Sequence, residues 1–477
     1  MKYLVLLLFV YPLSGKAQAV ISAKPAAEIS RSTHYKVTAN DTDIFVYQAP
    51  TAAYAIFDMQ SSVTVRIKAN RDVKWVDVRP KSLHIKPTWD NDSTITFRLD
   101  KPAKLSVELN GQLTMPLYIF ACAPEKDKPS REDKNVLFFE AGKVHTIGLL
   151  TIHSDQTVYI EGGAVVRGAI RAVNARHIKI RGRGVLDGTE NNRPDMPNKA
   201  RHFLEFVDCT DVEVEGVTLH NGTTWQVVPV HCNDVHIHNI HIISDNPSDD
   251  GIDVARSRNV TIENCFIRTK DDCIAIKANF DYPPEEIVEN VRVENCVFWN
   301  ALWGNALEIG FELRAKEVKN ISFVNCDIIH VEAGAAISIH NADQSVVHHV
   351  TFDNIRIEDA RHKLFDLAIL LSRYSIDGPK DEAEVRRRYL VGAWDGVMHV
   401  PAEKMAYHAL YRGWIKDVTF RNIYVEGIFP FSIFNGFDDA HPVENVSITN
   451  LVVNGTRITT MENSRIYRSH TVNVTLK

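Results

Sequence analysis

Two acidic clusters stand 21 residues apart in the middle of this 477-residue chain, Asn246-Pro247-Ser248-Asp249-Asp250-Gly251-Ile252-Asp253 and Lys270-Asp271-Asp272-Cys273-Ile274-Ala275-Ile276-Lys277. Carboxylates brought within a few ångströms of one another repel, so at least one takes a raised pKa. One group then keeps a proton near neutral pH while another stays ionised. A protonated and an ionised carboxyl facing one bond are what the cleavage of a glycosidic link requires. Two plainer uses of such clusters compete: aspartates cap backbone donors at turns, and clustered carboxylates hold calcium. What separates these readings is whether the fold brings the clusters together.

A nine-residue pattern answers that. Its clearest copies are NVTIENCFI from Asn259, NVRVENCVF from Asn290 and NISFVNCDI from Asn320. DVEVEGVTL from Asp211, DVHIHNIHI from Asp234, HVTFDNIRI from His349, DVTFRNIYV from Asp417 and NVSITNLVV from Asn445 are further copies, and HIKIRGRGV from His177 is a weaker one. Successive copies from 211 to 349 are offset by 23, 25, 31, 30 and 29 residues, the period of a solenoid. Positions two and four are β-branched or aromatic between polar residues, which is a short strand with one buried face. Position six is always Gly or Asn, the residues that take left-handed backbone at least cost. Strand, bend and strand in each coil predict a right-handed parallel β-helix. A leucine-rich repeat is excluded, because leucine does not dominate the core positions and no helix recurs.

Phase then places the clusters. Asp250 lies 16 residues after the start of its repeat, and Asp271 and Asp272 lie 12 and 13 residues after the start of the next. They belong on adjacent coils as neighbours, which favours catalysis over separate turn capping. The seven cysteines, which in an exported chain suggest disulfides, are mostly explained by the same phase. Cys265, Cys296 and Cys326 all occupy position seven, beside Val217, Ile240 and Ile355 in other coils. There they read as a ladder of small buried hydrophobes rather than as disulfides.

The ends differ from the middle. Lys2, the apolar run Tyr3 to Leu13 and Ala17-Gln18-Ala19 read as a signal peptide over residues 1–19, so the chain is expected to be exported. Residues 20–125 lack the repeat and carry alternating strands (SVTVRIKA, DVKWVDVRP, STITFRL, KLSVELNG), which predict a small β-sandwich. The charged, proline-flanked stretch 124–130 is the expected linker, with the β-helix over 126–477 and its first strand near Val136. The pattern lapses over 358–416, which predicts a long excursion with a short helix near Lys380 to Tyr389. A net charge of −6 without a long basic run argues against nucleic acid as a partner. No run of apolar residues is long enough to span a membrane.

The segment NPSDDGIDVARSRNVTIENCFIRTKDDCIAIKA resembles the central motif of family 28 glycoside hydrolases, the polygalacturonase type, which carry N-T-D-G-x-D and then D-D-C about twenty residues on. Trp225 to Cys232 is similar to the segment before that motif in bacterial members. The resemblance is specific over about 200–330. It implies hydrolysis with inversion, with Asp271 as the general acid and with Asp250 and Asp272 holding and activating the water. It implies no cofactor and no metal. Two departures bear on substrate. Where the family has G-H-G this chain has Trp303-Gly304-Asn305-Ala306, and where it has R-I-K, whose cations hold a uronate carboxylate, this chain has Ser338-Ile339-His340. Losing those charge-assisted bonds argues against galacturonan, although Lys277 or Arg314 could compensate. The layout of sandwich, linker and β-helix is similar to family 49, the dextranase and isopullulanase group.

The remaining candidates are substrate contacts: Trp225, Lys277, Trp303, Asn305, Glu312 and His340. Trp225, Trp299 and Trp303 serve equally well as core fillers or as platforms for a sugar face. His330, His340, His348 and His349 show no recognisable metal-ligand spacing and read as solvated or hydrogen-bonded histidines. The expected partner is a polysaccharide or oligosaccharide. Two rival readings are a β-helical polysaccharide lyase, which would use calcium and a basic residue, and a non-catalytic carbohydrate-binding solenoid.

Overall fold

The computed structural model describes residues 19–189, 202–280, 282–391 and 396–477. The proposed signal segment, Ala19 apart, lies outside the described residues. Among those residues no helix is long and apolar enough to cross a membrane.

From Val136–Phe139 to Thr471–Leu476, thirty strands among the described residues form one continuous, almost wholly parallel sheet, in which nearly every strand pairs with the equivalent strand of the next coil. This is the right-handed parallel β-helix. Its interior is a stack of like residues. Val227, Ile252, Ile274, Leu307, Ile337 and Phe365 succeed one another in register. Elsewhere the Phe323, Phe352 and Phe420 rings stack with centroids 5.0 and 5.1 Å apart. Burying identical apolar faces coil upon coil is what holds the solenoid together.

The bends fall where the repeat places them. Asn239, Asn264, Asn295, Asn325, Asn354, Asn422 and Asn450 all have φ between 51° and 59°. A second left-handed column stands at position one of the same repeat: Asp211, Asp234, Asn259, Asn290, Asn320, His349, Asp417 and Asn445, with φ between 54° and 59°. The Asn and Asp at that position carried this signal, whereas His349 did not. All seven cysteines are buried and unpaired, and the Cys265 amide donates to Cys296 Sγ at 3.3 Å.

Residues 20–122 form two facing sheets. One holds Thr42–Ile44, Tyr35–Ala39, Val63–Ala69, Thr94–Leu99 and Thr88–Asn91. The other holds Val20–Ile21, Ala53–Met59, Leu117–Cys122, Ala103–Leu109 and Val76–Arg79, with Val46–Gln48 alongside Ala53–Met59. Val63–Ala69 buries alternate residues, whereas Leu117–Cys122 buries every one. The reason is that the second sheet is covered on both faces. Its outer side, with Tyr54, Tyr118 and Phe120, packs on Phe266, Val297, Trp299 and Ile329 of the β-helix. Trp299 is therefore a core filler. Charged bonds seal the seam: Arg79 to Glu358 at 2.6 Å, and His330 between Glu108 (3.0 Å) and Asp359 (2.8 Å).

The excursion is shorter than the lapse in the repeat. Lys363–Ile369 is still a rung of the helix, paired in register with Ala335–Asn341, and the chain leaves the solenoid only between it and Trp414–Val425. That rung lacks the Asn bend, so the pattern did not register it. The expected short helix spans Glu382–Arg388. The excursion is anchored by the fully buried side chain of Asp377, which accepts from His408 Nδ1 at 2.7 Å and pairs with the Arg412 guanidinium.

Candidate active site

Two loops at the same edge of adjacent coils deliver the acidic clusters. The first precedes strand Ile252–Ala255 and the second precedes Ile274–Ala278, and these strands pair in register. Coil-to-coil backbone bonds continue through the clusters: Gln226 N–H to the Asp250 carbonyl, Gly251 N–H to that of Asp272, and Cys273 N–H to that of Asn305, at 2.8–3.0 Å. Asp250, Asp271 and Asp272 thereby converge, each offering a carboxylate oxygen within 4.8 Å of the others. Oxygens so spaced could also bracket a cation.

Asp249 has a different task. Its carboxylate accepts from the backbone N–H groups of Asn246, Lys270 and Asp271 at 2.8, 2.7 and 3.1 Å. It is the turn former that fixes one loop to the other, and burial pushes its carboxyl up to about 7 against those bonds. The capping role that the sequence left open for the whole cluster falls on this residue.

The three converging carboxyls are held differently. Asp250 Oδ2 accepts from Lys277 Nζ at 3.0 Å, and Asp253, completely buried, pairs with the same ammonium at 3.2 Å. Burial opposes the charged Lys277, but Asp250, Asp253, Glu312 and Asp272 prevail and hold its pKa well above the usual lysine range. Asp272 Oδ1 accepts from the Asn305 N–H at 2.6 Å and more weakly from its side-chain amide. Burial, then Asp250 and Asp271, raise the Asp272 carboxyl. Asp271 Oδ1 accepts from the Asp272 N–H at 3.1 Å, and burial followed by the Asp250 charge pushes its carboxyl up to about 7. Of the two raised carboxyls of the trio, Asp271 is the half-buried one and Asp272 the buried one.

A cavity of about 660 Å³ surrounds these groups, lined also by His202, Trp225, Lys277, Trp303, Asn305, Phe311, Glu312 and Tyr374. The structure thus brings eight of the nine expected site residues together. His340 is not among them. Phe311 lies flat on its ring, centroids 4.8 Å apart, and shields it from the cleft. A bulge causes this. Ile276 pairs with Ile309 and Ala278 with Leu313, so Gly310, Phe311 and Glu312 stand opposite Lys277 alone, and the extra residues push Phe311 and Glu312 into the cleft. Behind it, His340 Nδ1 meets Glu308 at 3.0 Å and Nε2 meets Asp366 at 3.2 Å. Burial opposes its charge, but these two carboxylates push the imidazole up to about 10.

Arg314 does not supply a free cation to the cleft either. Its guanidinium donates to the Tyr374 carbonyl at 2.7 Å and to Asp343 at 3.4 Å. This places Tyr374, from the excursion, in the cleft wall. Lys277 lies 4.0 Å from the Trp225 ring centroid, so that tryptophan covers an ion pair as well as facing the cavity. The residues that the sequence did not single out are Asp253, Glu308, Phe311 and Tyr374. Glu308 had a faint signal, a charge inside the apolar strand LEIG; Tyr374 had none, because the path of the excursion is not periodic.

Gly304 gives both Asp271 and Asp272 their room. Its φ is +61°, and a Cβ there would stand 2.6 Å from Asp272 Oδ1 and closer still to Asp271. Gly304→Ala should therefore displace both carboxyls and lower kcat by about 10²-fold, as an ångström of misplacement does, with an unchanged circular dichroism spectrum as the check on folding.

A larger groove, about 790 Å³, runs between the sandwich and the β-helix. Its carboxylates Asp327, Glu358 and Glu426 are each paired with a cation, Arg356, Arg79 and Lys81 respectively.

Residues 139–365 match the family model described as Glycosyl hydrolases family 28. A polygalacturonase of Juniperus ashei is 25% identical over 57% of this chain and 49% of its own length. The chain spans less than half the length of the first curated relatives it matches. Among solved structures, Dex49A from Penicillium minioluteum is similar in fold (TM-score 0.57, 14% identity) over 96% of this chain and 97% of its own. The family 28 exopolygalacturonase of Yersinia enterocolitica is similar over 90% of this chain and 98% of its own (TM-score 0.51, 15% identity). The motif region thus resembles family 28, and the full two-part layout is shared with Dex49A.

Proposed function

We propose that this chain is an exported glycoside hydrolase that cleaves α-linked glycosidic bonds of a neutral polysaccharide or oligosaccharide, with inversion. Asp271 protonates the leaving oxygen. Asp250 and Asp272 each have one oxygen engaged, by Lys277 and by Asn305, and their other oxygens hold and deprotonate the attacking water. The observation that carries this reading is the convergence of three carboxyls held in different ways: half-buried Asp271, pushed up to about 7, faces Asp250, pinned by Lys277, and Asp272, also raised but accepting from the backbone and side-chain amides of Asn305. The family 28 match over 139–365 supports the reaction class. The signal-like residues 1–19 support export, and 20–125 with 126–477 are taken as the two domains.

The preference for a neutral sugar rests on charge. Among the described residues, Lys277 and Arg314 are both held in ion pairs and His340 is shielded, while Glu312 adds a carboxylate to the wall. A polyanion entering would meet crowded carboxylates without a free partner among the described cleft residues. Trp225, Trp303, Phe311 and Tyr374 instead offer faces for the apolar sides of sugar rings. The lyase reading is disfavoured by the same contacts, since a lysine held protonated by four carboxylates is a poor base.

A panel of neutral glucans and galactans, pectins and sulfated polysaccharides, assayed for new reducing ends, tests this. A neutral glycan should be cut and polygalacturonate should not. Polygalacturonate as the best substrate would overturn the neutral preference, and unsaturated products would overturn hydrolysis. Activity should also fall as pH rises through about 7, because Asp271 loses the proton it must donate; a pH–kcat profile flat to pH 9 would remove Asp271 from the acid role.

A further inference from the structure

The left-handed column at position one of the repeat is tied along its length by side-chain amides. Asn290 donates to Asn259 at 2.9 Å and Asn320 to Asn290 at 3.2 Å; further on, Asn445 donates to Asp417 at 3.1 Å and Asn473 to Asn445 at 2.9 Å. Between Asn320 and Asp417 the chain of amides is interrupted, because the residue there is His349. His348 stands beside it, with the two Nδ1 atoms 2.5 Å apart and the ring centroids 4.8 Å apart.

The geometry points to a site for a divalent transition ion, Zn²⁺ or a close relative, formed by His348, His349 and Asp417. Each offers one ligand atom, all within 4.8 Å of one another. Strands Val346–Ile357 and Trp414–Val425 pair with His348 opposite Lys416 and Val350 opposite Val418, which sets His349 against Asp417 on the next coil. Asp417 Oδ1 accepts from Asn445, which leaves Oδ2 for an ion. Two imidazole nitrogens and one carboxylate select a borderline ion over calcium or magnesium, which prefer all-oxygen shells.

The surroundings fit that use. A ligating histidine usually donates its other ring N–H to a carboxylate. His348 Nε2 is buried without a hydrogen-bond partner, and Glu317 Oε2 lies 4.0 Å from it, itself held by Lys319 at 2.7 Å. Tetrahedral bonds of about 2.0–2.1 Å put two ligand atoms about 3.3 Å apart, a separation that side-chain adjustment within the 4.8 Å cluster can reach. His349 is exposed, leaving the outer position to water.

Asp417 is far in sequence from the adjacent His348 and His349, which is why their spacing gave no sign of a site. The chain between them includes the excursion that supplies Tyr374 to the cleft. An ion here would staple the coil before the excursion to the coil after it, and would stabilise the folded state by binding it alone.

The test uses the tag-free full chain, stripped with EDTA and titrated with ZnCl₂ by calorimetry and by thermal melting. One Zn²⁺ should bind per chain, and Tm should rise by about 3 °C at a hundredfold excess over Kd, with no such rise for Ca²⁺ or Mg²⁺. His349→Asn places there the residue that other coils use at this bend. It should keep the metal-free Tm and lose the Zn²⁺ shift, as should Asp417→Asn. His236→Asn, at the separate stacked pair His236/His238, should keep the shift. Absence of saturable Zn²⁺ binding, or a shift that survives both His349→Asn and Asp417→Asn, overturns the site; the latter result would assign the ion elsewhere, for example to Asp250, Asp271 and Asp272.

Discussion

Asp271→Asn is expected to lower kcat by about 10³-fold or more, within or beyond the range set by loss of a general acid, while the protein becomes more stable in mild alkali. The two effects share a cause. Burial and the Asp250 charge hold the Asp271 carboxyl at about 7 in the folded chain, against about 3.9 when unfolded. A group raised on folding contributes stability that is fully present below its unfolded pKa and is lost as pH climbs through the folded one. The loss therefore develops between about pH 4 and pH 7. Asparagine cannot ionise, so the variant should gain about 1–2 kcal/mol over the parent at pH 8, after discounting for the solvent that reaches this half-buried group, and nothing at pH 4. Denaturant melts at the two pH values check this. A turn-forming aspartate differs on truncation, although burial also pushes Asp249 up to about 7. Asp249, with three backbone donors on its carboxylate, should lose stability on truncation, so the pair Asp271→Asn and Asp249→Ala separates the acid from the scaffold.

Lys277→Met should cost about 3–5 kcal/mol of stability, the usual result of removing one partner from a buried ion pair. The methylene stem and its contact with Trp225 are largely kept, so the loss reports the charge. Asp250 and Asp253 are 2% and 0% exposed and would be left facing each other without their ammonium. The deficit should be smaller at pH 5 than at pH 8, because burial and Asp250 already raise the Asp253 carboxyl and it can then take up a proton. Activity should fall as well, since the oxygen of Asp250 that Lys277 restrains becomes free to turn. A variant as stable as the parent at pH 8 would mean that the lysine is not the counter-ion of this cluster.

Much of this was legible from the residues. The Asn at position six marked the bends, and the phase of Asp250 against Asp271 and Asp272 was enough to make them neighbours. Both signals are periodic, and a parallel solenoid converts sequence period directly into spatial register. What escaped the sequence was aperiodic. The bulge at Gly310 to Glu312 turned Phe311 over His340, so a histidine aligned with a family cation lies behind the wall instead of on it. Tyr374 enters from an excursion whose path depends on Arg314, Asp343 and the buried Asp377–Arg412 pair. Lys277 reads as a substrate cation until its two carboxylate partners are placed beside it.

The division of labour among Asp250, Asp271 and Asp272 is tested most directly by the anomeric configuration of the first product, followed by ¹H NMR from the first moments of hydrolysis of the glycan that the panel identifies. Asp250 and Asp272 holding a water between them predict that the new reducing end appears with inverted configuration and then mutarotates. The closest oxygens of the trio lie within 4.8 Å, and carboxyl groups only about 5 Å apart are typical of enzymes that form a covalent glycosyl intermediate and retain configuration. A retained anomer would make one of these aspartates the nucleophile and contradict the roles assigned to all three.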